Sequence, residues 1–220
     1  MPDDRLARQL RGFGPLGLAA ILLILAGNFL FLPLSALLVL AWAQAAQTPW
    51  ADLGLVRPRR RNRSLVIGIV FGALFKLTMK ALVMPLLGAP PVNARYHYIA
   101  GNAAALPGMI LLLIIGAGFG EEVLYRGYMF ERLGTLFGRS RSAKIAAVLI
   151  TATLFAAGHY ADQGVPGVEQ AAVTGLVYGG IFALTGELFM LMVAHATFDL
   201  VALALIYWNL EPRIAHLFFR

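Results

Sequence analysis

Polar residues are so sparse along this chain that its apolar positions form continuous stretches instead of one stripe of an amphipathic helix. Six stretches stand out, at 15–46, 65–88, 104–130, 144–160, 168–185 and 188–208. Most approach or exceed the roughly 20 residues that cross a bilayer as a helix. None alternates with the period of two that a membrane β-barrel strand requires. The pattern therefore predicts an all-α polytopic transmembrane helical bundle of about six to eight helices. The whole of 1–220 reads as a single integral-membrane domain, without a repeat or low-complexity tract, and 104–208 holds the core helices that carry the polar chemistry.

Composition sharpens this picture. Hydrophobic residues make up 60% of the 220 and charged residues only 13%, whereas a soluble domain carries roughly a quarter charged. There is no cysteine, which excludes disulfides, thiolate catalysis, Cys-based zinc sites and S-acylation. The net charge of +7 comes from basic residues lying between apolar segments. They read as anchors beside anionic lipid, and no nucleic-acid partner is expected. The basic start followed by an apolar run resembles a signal peptide, but the run is far longer than the 7–15 residues such a peptide uses. It reads as retained membrane structure, with the protein in the cell inner (cytoplasmic) membrane as a multi-pass chain.

Arginines orient the bundle. Arg57, Arg59, Arg60, Arg61 and Arg63 place one loop in the cytoplasm, and Arg132, Arg139, Arg141 and Lys144 place another there two spans later. Arg5, Arg8 and Arg11 belong on the same side. That is possible if 15–46, interrupted by Gly27, Asn28 and Pro33, is a hairpin of two short helices; one long tilted helix is the alternative. On this orientation Glu121 lies roughly 16 Å from the cytoplasmic boundary, His159 about 22 Å, His195 about 12 Å and Asp199 about 18 Å, at 1.5 Å per residue. Four polar side chains from three helices thus fall in one slab of the membrane.

Spacing divides their roles. Glu122 and Arg126 are four apart on one helix face, with the acid first, the better order for an ion pair. Glu121 is turned by about 100° and is left to meet the histidines. His195 and Asp199 share a face for the same reason. Gly116, Gly118 and Gly120 let a neighbouring helix approach closely. Lys76 and Lys80 read as residues snorkelling to the outer interface, Tyr125 and Tyr160 as packing residues or as lining of the cleft, and His97 and His216 as solvated. A carboxylate beside an imidazole in a dry pocket can hold a water and take its proton, and a second histidine can donate to an oxyanion. Two histidines and a glutamate (Glu121, His159, His195) could instead hold zinc. No HExxH or GxSxG is present, and Ser35, Ser64, Ser140 and Ser142 lie outside the slab.

These residues resemble the CPBP family, the CAAX prenyl proteases and bacteriocin-processing enzymes also called ABI or type II CAAX proteases. Its EExxxR motif stands as Glu121, Glu122 and Arg126 in "EEVLYR". Its FxxxH motif stands as Phe155 and His159 in "FAAGH". Its Hxxx(Asn/Asp) motif stands as His195 and Asp199 in "HATFD". The stretch "PWADLGLVRP" resembles the one preceding the family's core, so the resemblance covers roughly 47–208. It implies an intramembrane endopeptidase whose site opens to the cytoplasmic side, without a cofactor, although zinc was the family's first assignment. By the resemblance Glu121 and His159 activate water, His195 and Asp199 form the oxyanion hole, and Glu122 and Arg126 shape the site. The prenyl-processing branch carries Asn where this chain has Asp199. An ionised aspartate is a poor oxyanion partner, so that role falls mainly on His195. The expected partners are membrane lipids and a peptide or protein substrate, whether a lipidated tail, a leader peptide or a transmembrane segment. Two other classes fit the same residues: a non-catalytic adaptor or bacteriocin-immunity protein that uses the slab for binding, and a transporter that uses it as a proton relay.

Overall fold

The structure, a computed structural model, describes residues 4–30 and 32–219; residues 1–3, 31 and 220 lie outside the described residues. The described chain is helical, without a strand. Helix α1 (Asp4–Arg11) leads into α2 (Pro15–Leu30) and α3 (Leu32–Ala45), two short apolar helices packed on each other. They pack tightly at Gly27, where an added Cβ would stand 3.0 Å from the Leu38 side chain. Among the described residues, five helices are long and apolar enough to span a membrane: α4 (Arg61–Leu86), α5 (Ala103–Phe137), α6 (Arg141–Gly158), α7 (Tyr160–Thr185) and α8 (Phe189–Tyr207). A short α9 (Glu211–Ala215) follows. Leu22, Val66, Leu74, Ile110 and Leu149 remain exposed on several of these helices. An apolar surface this extensive suits lipid and not water.

Breaks in the apolar pattern coincide with backbone signals. Gly54, Gly88, Gly101, Gly138 and Gly186 adopt positive φ between or beside helices, where a side chain would be strained. Ser140 opens α6 by accepting the Ala143 amide at 3.1 Å, an ordinary N-cap. The polar segment 160–167 does not leave the membrane region as a long loop. It forms the first turns of α7, which kinks at Gly164 (φ 62°, ψ −158°) just before Pro166. Helix α5 runs seven residues beyond the apolar stretch that predicts it. From Leu112 to Tyr128 its backbone follows the i→i+5 pattern of a π-helix, a wide turn that clusters at functional sites.

Because consecutive spans alternate in direction, the helix ends gather into two faces. On one, Arg132 donates to the Arg11 carbonyl at 2.6 Å, Arg139 pairs with Asp52 at 3.6 Å, and Lys144 donates to the Ala183 carbonyl at 3.1 Å. All the basic clusters of 5–11, 57–63 and 132–144 lie at this end. On the other face the 87–102 loop meets the ends of α7 and α8. There Arg95 pairs with Asp162 at 3.0 Å, and the Gly101 amide donates to the Tyr207 carbonyl at 3.0 Å.

Tight helix contacts set the interior. Helix α4 lies along α8, and a Cβ on Gly72 would collide with the Ala194 carbonyl. Lys80 does not snorkel, contrary to the sequence expectation. It is buried and pairs with Glu211 at 2.9 Å, while Glu211 also accepts the Asn93 amide. The short α9 folds back to supply that carboxylate, so the ammonium has no need to reach the interface. Removing one partner leaves an uncompensated buried charge. Glu211→Ala is therefore expected to destabilise the protein by about 3 kcal/mol, read by thermal unfolding in detergent. The double substitution Lys80→Met with Glu211→Leu should recover much of that loss.

Candidate active site

The polar cluster begins with a glycine. Gly118 faces α8, where a Cβ would stand 2.8 Å from that of Ala196. Absence of a side chain draws α5 against α8 just before the two glutamates, so Glu121 and Glu122 face His195. Arg126 donates to Glu122 Oε1 at 2.9 Å, and both side chains are at most 1% exposed. The guanidinium also lies over the rings of Phe155, at 4.8 Å, and Tyr178, at 5.6 Å. Cation–π contacts of this kind strengthen where water is excluded.

Glu122 does more than pair with arginine. Its Oε1 also meets His195 Nδ1 at 2.7 Å, which corrects the expectation that only Glu121 faces the histidines. The physical reason is the π-helical turn: a wider helix rotates successive residues through a smaller angle, so both carboxylates reach one neighbour. With Glu122 ionised against Arg126, His195 Nδ1 must donate, and the ring turns Nε2 towards the remaining acids. Nε2 stands 3.6 Å from Glu121 Oε2 and 3.6 Å from Asp199 Oδ2. That is just beyond hydrogen-bond length, a spacing at which a water can be shared. The oriented group is therefore His195, and Glu122 orients it.

His159 closes α6, and its Nδ1 lies 2.8 Å from the Phe155 carbonyl oxygen. A carbonyl only accepts, so Nδ1 carries the hydrogen and Nε2 holds the lone pair in the neutral ring. Phe155 stacks edge-on against both imidazoles, with centroids 4.6 Å from His159 and 6.0 Å from His195. Glu121, His159, His195 and Asp199 all line one cavity of about 420 Å³. The four slab residues thus come together, as their depths predict.

Further residues line the cavity. Lys76, expected at an interface, is buried on its wall, donates to Gln170 at 2.8 Å and lies 4.7 Å over the Phe198 ring. Tyr125 lines the cavity, with its hydroxyl 3.4 Å from Asn28 Nδ2, whereas Tyr160 points outward and is 63% exposed. Asn28, an interruption in an apolar helix, was the available signal for an N-terminal contribution. At the rim, burial and then the Asp162 charge push the Tyr96 phenol above its ordinary value, so it keeps its proton.

A metal was the other reading of this set. Among the described residues no three His, Asp or Glu side chains converge as an ion needs. His195 Nδ1 is committed to Glu122 and His159 Nδ1 to a carbonyl, which leaves each Nε2 facing the cavity, an orientation that a metal-binding histidine also uses. Deleting the internal cation should be costly: Arg126→Ala is expected to lower stability by about 3–5 kcal/mol, measured by unfolding in micelles. Phe155→Leu, which retains bulk but removes the ring under Arg126, should lower it less.

Residues 103–201 match a protein-family model described as Rce1-like, the type II CAAX prenyl endopeptidases. Neither the curated proteins nor the solved structures return a match. The match contains all three motifs, and with them Glu121, His159, His195 and Asp199, whereas Asn28, Lys76 and Tyr96 on the cavity wall lie outside it. Across this segment the chain is similar to the Rce1-like, type II CAAX prenyl endopeptidases.

Proposed function

We propose that this protein is an intramembrane endopeptidase that hydrolyses a peptide bond with a water activated by Glu121 and His159, without a metal. The observation that carries the reading is Glu121, His159 and His195 lining one cavity, with each imidazole held through its Nδ1. Glu121 takes a proton from water as the oxygen attacks the scissile carbonyl carbon. His159 Nε2, its lone pair fixed by the Phe155 carbonyl, accepts a hydrogen bond from the same water and aligns it. His195 in its imidazolium form donates Nε2–H to the carbonyl oxygen as that atom becomes an oxyanion, acting with Glu122 as its support. The carbon–nitrogen bond then breaks, and Glu121 returns its proton to the leaving amine. Asp199 balances the charge of His195 and does not itself bind the oxyanion.

The substrate is a peptide or protein segment at the membrane, lipidated or membrane-embedded, and the membrane is the cell's cytoplasmic membrane. A binding role for the same cluster, as in an adaptor or immunity protein, needs the geometry but not the proton transfer. The two are separable. Glu121→Ala and His159→Ala should each lower cleavage by about 10²- to 10⁴-fold, the scale of a lost general base, while both proteins still insert and unfold at the wild-type temperature. Cleavage retained by either purified variant would remove the reading. Equal complementation in cells by wild type and Glu121→Gln would favour the binding role. Elemental analysis of purified, active protein is expected to show no stoichiometric zinc, and activity should survive chelators; one zinc per chain would overturn the metal-free chemistry.

A further inference from the structure

The cavity is not placed evenly between the two faces of the bundle. Its wall includes Asn93, Tyr96 and Ile99 from the α4–α5 loop, Asp162 and Gln163 from the start of α7, and Ile206 from the end of α8. Every one of these lies at the face opposite the arginine-rich loops. Asp162, which is on the cavity wall and exposed, forms with Arg95 the rim on that side, their side chains 63% and 60% exposed.

Towards the basic face the site has a floor. Glu122, Val123, Leu124, Arg126 and Tyr128 on α5 are buried to within 1% of complete. Tyr178, Leu188 and Leu191 close the space beside them in the same way. The second hollow, between Gly54 and Met192 at the basic face, shares no residue with the site. A peptide could not reach Glu121 from the arginine side without dismantling this packing.

Exposed aromatics agree with the assignment of an interface at the cavity's face: Tyr98, Tyr160 and Trp208 are 59%, 63% and 65% exposed there, as suits a headgroup boundary. Charge differs as well. Apart from the buried Lys76 and Lys80, the described lysines and arginines near this rim are Arg95, already paired, and Arg213, whereas all the arginine-rich segments lie at the other end. Positively charged loops stay in the cytoplasm.

We infer that the active-site cavity opens on the extracytoplasmic side of the membrane, so that the peptides this protein cleaves are those presented on the outer leaflet or translocated across it. The inference rests on the proteolytic reading for its substrate class, and on the placement of the cavity for its direction. It runs against the cytoplasmic opening that the family resemblance implies. The approach is apolar: Ile99, Leu203 and Ile206 pack with Tyr96, Met109 and Leu113 beside the entrance. That wall suits a substrate with a hydrophobic or acylated side chain near the cut.

The absence of native cysteine makes the direction measurable. Single cysteines at Tyr98 or Tyr160 mark the cavity's face, and single cysteines at Leu136 or Arg139 mark the basic face; all four positions are exposed. A membrane-impermeant, charged maleimide added to intact cells should label Tyr98→Cys and Tyr160→Cys. Leu136→Cys and Arg139→Cys should label only after the membrane is permeabilised. The opposite pattern, or equal labelling of both faces in intact cells, would overturn the inference. Two positions per face keep the result independent of one variant's folding. The labelling does not depend on activity, so an inactive wild type with this pattern would remove proteolysis and leave the direction standing. As a functional arm, the same reagent on Ala161→Cys at the rim should stop cleavage from outside the cell; uninterrupted cleavage by the fully labelled variant would contradict entry at this rim.

Discussion

The structure depends on holding Glu122 ionised where no water reaches it. A lone carboxylate in that position would be costly enough to take up a proton instead. Arg126 one turn later and His195 across the helix boundary together make burial possible, with Phe155 and Tyr178 closing over the guanidinium. The same contacts then fix everything around them. They hold α5 to α8, they set which ring nitrogen of His195 faces the cavity, and they seal the interior below the site. A charged pair that looks like a local brace is in effect the hinge pin of four helices.

Around that core the division of labour follows hydrogen-bonding capacity. Each imidazole has one nitrogen tied to an acceptor and one left for the cavity, by a carboxylate for His195 and by a carbonyl for His159. In a neutral ring that nitrogen is a lone pair, as proposed for His159; His195 offers a donor there only in the imidazolium form, which the neighbouring carboxylates favour. Glu121 is the acid that Arg126 does not pair with, and it lies beside the water-sized gaps instead of within a salt bridge.

Much of this was legible in the residue pattern, because membrane insertion forces long apolar runs to be helices and turns every intramembrane charge into a signal. The depth of Glu121, His159, His195 and Asp199 could be counted along their helices, and the cavity contains all four. What could not be read were features that depend on backbone form or on distant pairing. Regular α-geometry separates Glu121 from Glu122, and nothing in "GAGFGEEVLYRGY" announces the i→i+5 turn that brings both to His195. Lys76 and Lys80 are ambiguous because a lysine near a span's end can reach water or a partner. Glu211 sits in a polar segment after the last span, with no periodicity to show that it folds back. Asn28 lies in a short helix whose position beside Tyr125 is a tertiary fact.

The Lys80–Glu211 pair has a consequence for biogenesis. The lysine is synthesised 131 residues before its counterion. Until the ribosome has finished the last span, that helix carries a naked positive charge in a poor solvent, and its neighbours cannot lock around it. Completion of the C-terminal segment thus acts as a final clasp. A nascent chain stalled or clipped before this point would expose an unneutralised lysine, the kind of mark by which membrane quality control recognises an unfinished protein.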